Sequence, residues 1–159
     1  MTAAPAGRLT NDDRRWLQVA VDEARAGRAE GGIPIGAALV AGGRVLGAGH
    51  NRRVQLCSVI RHGETDALES AGRQRAEVYR TATMYTTLSP CDMCTGAILL
   101  YGIARVVIGE NRSFRGAEEL LRSRGVQVVL ADDPQCIRLM EDFIATEPAL
   151  WNEDIGEPT

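Results

Sequence analysis

Two short runs, His62-Gly63-Glu64 and Pro90-Cys91-Asp92-Met93-Cys94, constrain this chain more than any other feature. They offer one imidazole, two thiols and one carboxylate from separate segments, which the fold must bring to one point. One nitrogen and two thiolates suit zinc. A zinc ion with three protein ligands keeps a fourth position open, which marks a catalytic rather than a structural site. Water at such a position is acidified toward a pKa of roughly 7, so hydroxide is available at neutral pH. The chemistry implied is hydrolysis.

Spacing adds geometry. Cys91 and Cys94 are three residues apart and share one face of a helix. In a first helical turn the free N–H groups and the helix dipole favour thiolate, and Pro90 suits a helix start that does not need its missing N–H. His62 and Glu64 are two apart, which in a regular helix sends the side chains in different directions. They converge on one metal only if His62 stands at the very start of its helix. Glu64, near the metal but not bound to it, can then carry protons. C-x-x-C alone also fits a redox dithiol or half of a structural zinc knuckle. A knuckle needs a second such pair, and the chain has none; its histidines are His50 and His62 alone. H-x-E together with P-C-x-x-C is the signature of zinc deaminases.

The surrounding pattern predicts a layered α/β fold. Thr10-Asn11-Asp12-Asp13 caps a helix with Leu17, Ala20, Val21 and Ala24 along one stripe. Residues 33–40 and 44–49 read as strands around the Gly42-Gly43 turn, and 50–61 as a loop. His62 opens a helix that stops near Gly72. Strands are predicted over 83–88, 106–109 and 126–131, with helices over 91–101 and 117–124 between them. Asp133-Pro134 starts a last helix, with Ile137, Met140, Phe143 and Ile144 buried and Pro148 as its stop. This order, α-β-β-α-β-α-β-α-β-α, predicts a three-layer α/β/α fold with a mixed five-stranded sheet and helices on both faces. Residues 1–159 are expected to form a single domain, with 1–9 flexible. Cys57 and Cys136 are expected to be small buried or half-buried side chains.

Composition sets limits on partners. With 18 Lys+Arg against 21 Asp+Glu, the chain lacks the basic surplus that phosphate binding needs, which argues against a nucleic-acid partner. No segment is apolar and long enough to span a membrane, and the first ten residues lack the apolar run of a signal peptide. A cytoplasmic location is expected, where reducing conditions keep the four cysteines as thiols.

From His62 to Glu157 the chain resembles the cytidine-deaminase-like zinc hydrolases, most of all the fungal-type cytosine deaminases. The run from Thr86-Thr87-Leu88-Ser89 through Cys94-Thr95-Gly96-Ala97-Ile98 carries the likeness. Gly109-Glu110-Asn111, Phe114, and the tail Trp151 with Glu153-Asp154-Ile155-Gly156-Glu157 extend it. The resemblance implies one zinc per subunit on His62, Cys91 and Cys94, with Glu64 as proton shuttle. Asn51, Asp154 and the backbone of Gly63 would bind the pyrimidine edge, and the Ser89 carbonyl would receive the departing amine. Phe114 and Trp151 would close over the ring, Ile33 would line the pocket, and residues 147–159 would cover it. The reaction implied is hydrolytic deamination of free cytosine by a homodimer. An apolar helix over 95–101, with Ile98, Leu99 and Leu100, fits such a dimer as well as it fits a core.

Fungal relatives carry Phe where this chain has Val54 and Asn152, and 57–61 also departs from their pattern. A roomier or more polar site is expected, open to 5-substituted cytosines, isocytosine or amino-triazines. Guanine and tRNA adenosine deaminases are the rivals within the superfamily. The latter typically have Ala where this chain has Gly63 and grip RNA with basic surface. From another class, a non-catalytic zinc-stabilised binding module would need neither Glu64 nor a pocket.

Overall fold

Alternation along the strands sorts the apolar side chains onto two faces of one sheet. A computed structural model describes residues 7–159. In β1 (Gly36–Ala41), Ala37, Leu39 and Ala41 join one core cluster, while Ala38 and Val40 join another. The same division separates Met84 from Tyr85 in β3 (Thr83–Leu88), Val106 and Ile108 from Val107 in β4 (Arg105–Glu110), and Val128 from Val129 in β5 (Gln127–Leu130). With β2 (Arg44–His50) these strands form a five-stranded sheet in the order β2-β1-β3-β4-β5. β1 pairs antiparallel with β2 and β3, whereas β3-β4 and β4-β5 are parallel. Gly42 and Gly43 both take positive φ, as a two-residue hairpin turn demands.

Helices cover both faces. On one side α1 (Asn11–Ala29) packs Leu17 and Ala20 against Tyr85, Val107 and Val129. Thr10 and Asp13 cap it reciprocally, each side chain accepting the other's backbone N–H. On the other side lie α3 (Gly63–Ala71), α4 (Ala76–Thr81), α5 (Asp92–Tyr101) and α6 (Glu118–Ser123), which contribute Ala67, Tyr79, Ile98 and Leu121. Gly47 lets α3 lie close on β2, because a Cβ there would fall on the backbone of Ala67 and Ala71. That approach fixes the helix that begins beside His62.

α7 (Pro134–Thr146) is capped by Asp133, which accepts from the amides of Gln135 and Cys136. The chain then starts a further helix, α8 (Pro148–Asp154), at the proline expected only to end α7. Pro at the first position of a helix loses no hydrogen bond, so it begins one as readily as it stops another. A four-residue helix, α2 (Arg53–Leu56), interrupts the predicted loop. The chain enters β1 later than predicted: Ile33 to Ile35 form a turn, with the Ile35 amide bonded to the Ile33 carbonyl. Leu9 packs against the α1 side of the core, while residues 1–6, expected to be flexible, lie outside the described residues. Cys136 is buried as expected, whereas Cys57 is exposed.

Candidate active site

Two helix starts meet at the C-terminal ends of β3 and β4, where α/β sheets open their ligand crevice. His62 is the N-cap of α3, with extended backbone at φ −76° and ψ 169°. Cys91 is the N-cap of α5, at φ −66° and ψ 175°. Neither side chain caps its own helix. Both are therefore directed to the space between the helices, and Cys94 on the first turn of α5 joins them. Because His62 precedes the helix and Glu64 lies within it, the two can approach one point despite their spacing.

The Nδ1 of His62 lies 3.4 Å from the Cys91 sulfur. Donor atoms of His62, Cys91 and Cys94 all fall within 4.8 Å of one another, the one such cluster among the described residues. Ligands ~2.0–2.3 Å from a tetrahedral zinc stand roughly 3.3–3.8 Å apart, so this donor set fits the ion with little adjustment. A hydrogen bond from Cys94, reinforced by His62 against the opposing effect of burial, pulls the Cys91 thiol down to about 4. Burial, then the charge of Cys91, pushes the Glu64 carboxyl above its ordinary range. The Nε2 of His62 looks the other way, 3.7 Å from Oδ1 of Asp154.

A small pocket opens over this cluster, lined by His62, Glu64, Cys91, Ser89, Phe114, Trp151 and Asp154 among others. Phe114 and Trp151 meet edge to face with ring centroids 6.3 Å apart. Glu64 is almost wholly buried, and Thr86 Oγ1 lies 3.0 Å from its Oε1. Asp154 Oδ1 accepts from Asn51 Nδ2 at 3.1 Å and Arg53 Nη1 at 3.0 Å. The Asn51 oxygen accepts the Arg53 amide, so the amide group is held from both ends. Gly63 sits at the start of α3, packed against the backbone of Ile35 and Gly36.

Ile33, Asn51, Val54 and Asn152 do not border the pocket. Ile33 is wholly buried in one core cluster with Ile35, Leu88 and Trp151, and of the two isoleucines Ile35 borders the pocket. Asn51 is buried and bonded to Asp154, which lines the pocket. Val54 is exposed on α2, and Asn152 lies half-buried on α8, neither bordering the pocket, so any widening they cause is indirect. Leu88 and Ile155 line it without having been singled out, though both flank residues that were. Arg53, Thr86 and Glu118 carried no signal in the sequence beyond their neighbourhood.

Residues 10–110 match the model of the cytidine and deoxycytidylate deaminase zinc-binding region. A cytosine deaminase of Candida albicans is 56% identical over 150 residues, covering 94% of this chain and all of that protein. A tRNA-specific adenosine deaminase of Streptococcus pyogenes is 34% identical over 141 residues, 80% of this chain and 87% of that one. Among solved structures, a transfer-RNA deaminase studied for A-to-I editing at the wobble position aligns with a TM-score of 0.68. It is 27% identical and covers 79% of this chain and 99% of its own.

Proposed function

The chain belongs to the family of the cytidine and deoxycytidylate deaminase zinc-binding region, and from that premise we propose that it hydrolyses free cytosine to uracil and ammonia. One observation carries the reading: His62 and Cys91 of the three-donor cluster and the buried Glu64 line the same pocket as Phe114, Trp151 and Asp154. His62, Cys91 and Cys94 would hold zinc, which acts as a Lewis acid that makes water a better nucleophile.

The remaining steps belong to the protein. Glu64 takes a proton from water and delivers it to the ring nitrogen beside the amino-bearing carbon. The water oxygen bonds to that carbon. Glu64 then transfers the second proton to the amine, the carbon–nitrogen bond breaks, and ammonia leaves. Buried beside the donor cluster, with Thr86 within hydrogen-bond distance, Glu64 is positioned to hold and pass on protons. Asp154 accepts from the N–H edge of the base, and Asn51 steadies Asp154. The Ser89 carbonyl faces the amine, while the backbone of Gly63 completes the edge. Phe114 and Trp151, packed edge to face, cover the ring together and keep bulk water out.

Residues 147–159, which include α8, are the segment that closes the pocket, in what we read as a one-domain enzyme. That cover favours a free base over a polynucleotide, as does the net acidic balance. No helix of the described residues is long and apolar enough to cross a membrane, and we place the enzyme in the cytoplasm. A homodimer fits the exposed apolar surface: Leu100 is 76% and Val59 74% exposed, and a wide groove runs past Leu68, Tyr79 and Tyr101. Ammonia release from cytosine, 5-methylcytosine, guanine, adenosine and tRNA tests the substrate. Activity on cytosine supports the reading, and activity confined to guanine or tRNA refutes it.

A further inference from the structure

We infer that Glu118 is a positioning residue of the base pocket, tying the wall residue Ser89 to the loop 111–117 that carries Phe114; the inference deepens the deaminase reading above and rests on it for the identity of the base. Glu118 is 1% exposed, yet it takes no part in the proton transfers just described. A carboxylate withdrawn from water costs several kcal/mol unless its partners compensate. Its partners are therefore informative.

Oε1 of Glu118 accepts from the Ser89 hydroxyl at 2.8 Å and from Asn111 Nδ2 at 3.1 Å. Ser89 Oγ in turn accepts the Gly116 amide at 2.9 Å. The bonds close a ring: pocket wall to carboxylate, carboxylate to the start of the loop, loop end back to the wall. Arg122 and Arg115 lie 3.5 and 3.9 Å from Oε2 and offset the charge from the solvent side. Glu118 is the first residue of α6, and an acid there could serve that helix alone. Among the described residues, however, its carboxylate accepts from none of the helix amides. Its two shortest bonds go to Ser89 on the pocket wall and to Asn111 at the start of the loop.

A second buried acid holds the same loop. Glu110, fully buried at the end of β4, accepts the amides of Arg112 and Ser113, and its carbonyl receives the Ser89 amide. Glu110 thus shapes the near end of the loop, and Glu118 ties both ends to Ser89. Between them stands Phe114, edge-on to Trp151. Gly116 completes the fit, since a Cβ there would fall on the Pro90 carbonyl just ahead of Cys91. Loop position and pocket wall are thereby coupled through one side chain.

Glu118→Ala, Glu118→Gln and Ser89→Ala, each made in the zinc-loaded full chain, test this with two readouts. The first is steady-state deamination of cytosine. Losing the tie raises KM about tenfold, with a smaller change in kcat, because the hydrogen bonds act on the loop that carries Phe114 rather than on the reacting atoms. Glu118→Gln recovers part of the loss, since its amide oxygen still accepts from Ser89. The double variant Ser89→Ala/Glu118→Ala is no worse than either single one, as expected for members of one network. The second readout needs no substrate. The chain has two tryptophans, so in a Trp16→Phe background Trp151 reports alone. Glu118→Ala makes its fluorescence more readily quenched by acrylamide, because Phe114 no longer shields it. Thermal denaturation and zinc content monitor the fold of every variant. Variants that lower only the melting temperature, with KM and quenching unchanged, overturn the inference. If the parent protein leaves cytosine untouched while Glu118→Ala still exposes Trp151, the tie stands and the cytosine reading falls.

Discussion

The hydroxyl of Thr86 stands 3.0 Å from Oε1 of Glu64 and 3.0 Å from the carbonyl of Leu88. A hydroxyl has one proton and two lone pairs, so it serves these neighbours in two ways. Facing a carboxylate it donates to Glu64; facing a protonated carboxyl it accepts from Glu64 and donates to Leu88. The side chain proposed to move protons keeps a partner in both of its states. Since an unpaired buried polar group is costly, this matters to the energy of each step.

Glu64→Gln should therefore keep zinc and fold while lowering kcat by about 10²–10⁴, the usual worth of a positioned acid–base group. Thr86→Val, which removes only the partner, should lower kcat about tenfold and leave KM nearly unchanged. Steady-state kinetics with zinc analysis on each variant decide the matter. A near-native rate for Glu64→Gln removes the proton-shuttle role.

Arg53 binds both acids at the end of α8: Asp154 at 3.0 Å and Glu153 at 2.8 Å. It also lies near the Glu153 carbonyl at the C-terminal end of that helix, where a cation is favoured. Arg53→Gln should raise KM for cytosine roughly tenfold or more, because it leaves Asp154, at the pocket wall, short of a charged partner. Lysine should rescue poorly, having no planar fork to span two carboxylates. Equal KM values for Arg53, Gln and Lys proteins would exclude this role.

Much of this was legible in the sequence, and the exceptions have physical causes. Strands rich in Val, Ile and Thr around the two motifs gave the sheet, and spacing alone posed the condition on His62 that its N-cap position meets. The helices α2, α4 and α8 were missed. The first has four residues and the second six, less than two turns each, too few to display a period. The third begins at Pro148, whose role as a stop and as a start cannot be told apart from one residue. Ile33 and Ile35 share hydrophobicity and differ only in which side of a turn they occupy. Glu118 and Thr86 act through partners 29 and 22 residues away in the chain, a relation no local pattern encodes.

Asp13 couples stability to pH. Its side chain is 3% exposed and bonded to Arg105, Tyr85 and the Thr10 amide. Burial alone would raise its pKa, but these bonds together outweigh it and hold the carboxyl well below its ordinary 3.8. The folded value is depressed, so the stabilisation is fully present above about pH 4 and is lost as pH falls toward the folded value. Asp13→Asn should cost about 3 kcal/mol at pH 7, by leaving Arg105 without its buried partner. Urea denaturation across pH should show that gap narrowing below pH ~4. A gap constant down to pH ~2 contradicts the assignment.

Leu100 offers a test of the proposed homodimer. Placing a charge on the exposed apolar face of α5 with Leu100→Glu should convert the protein to a monomer while leaving its core intact. Sedimentation velocity at micromolar concentration should show a dimer before the substitution and a monomer after it. A parent protein that sediments as a monomer refutes the interface.

Chelation of the metal should abolish turnover and lower the melting temperature, and zinc should restore both, since ligand binding to the folded state stabilises it. Recovery of activity without added metal would exclude zinc from the reaction.

The most direct test of the whole account is to incubate the zinc-loaded protein with cytosine in water enriched in heavy oxygen and analyse the products by mass spectrometry. Uracil should carry one solvent oxygen and form together with one equivalent of ammonia. Unchanged cytosine, with ammonia arising instead from guanine or from adenosine in tRNA, would contradict it.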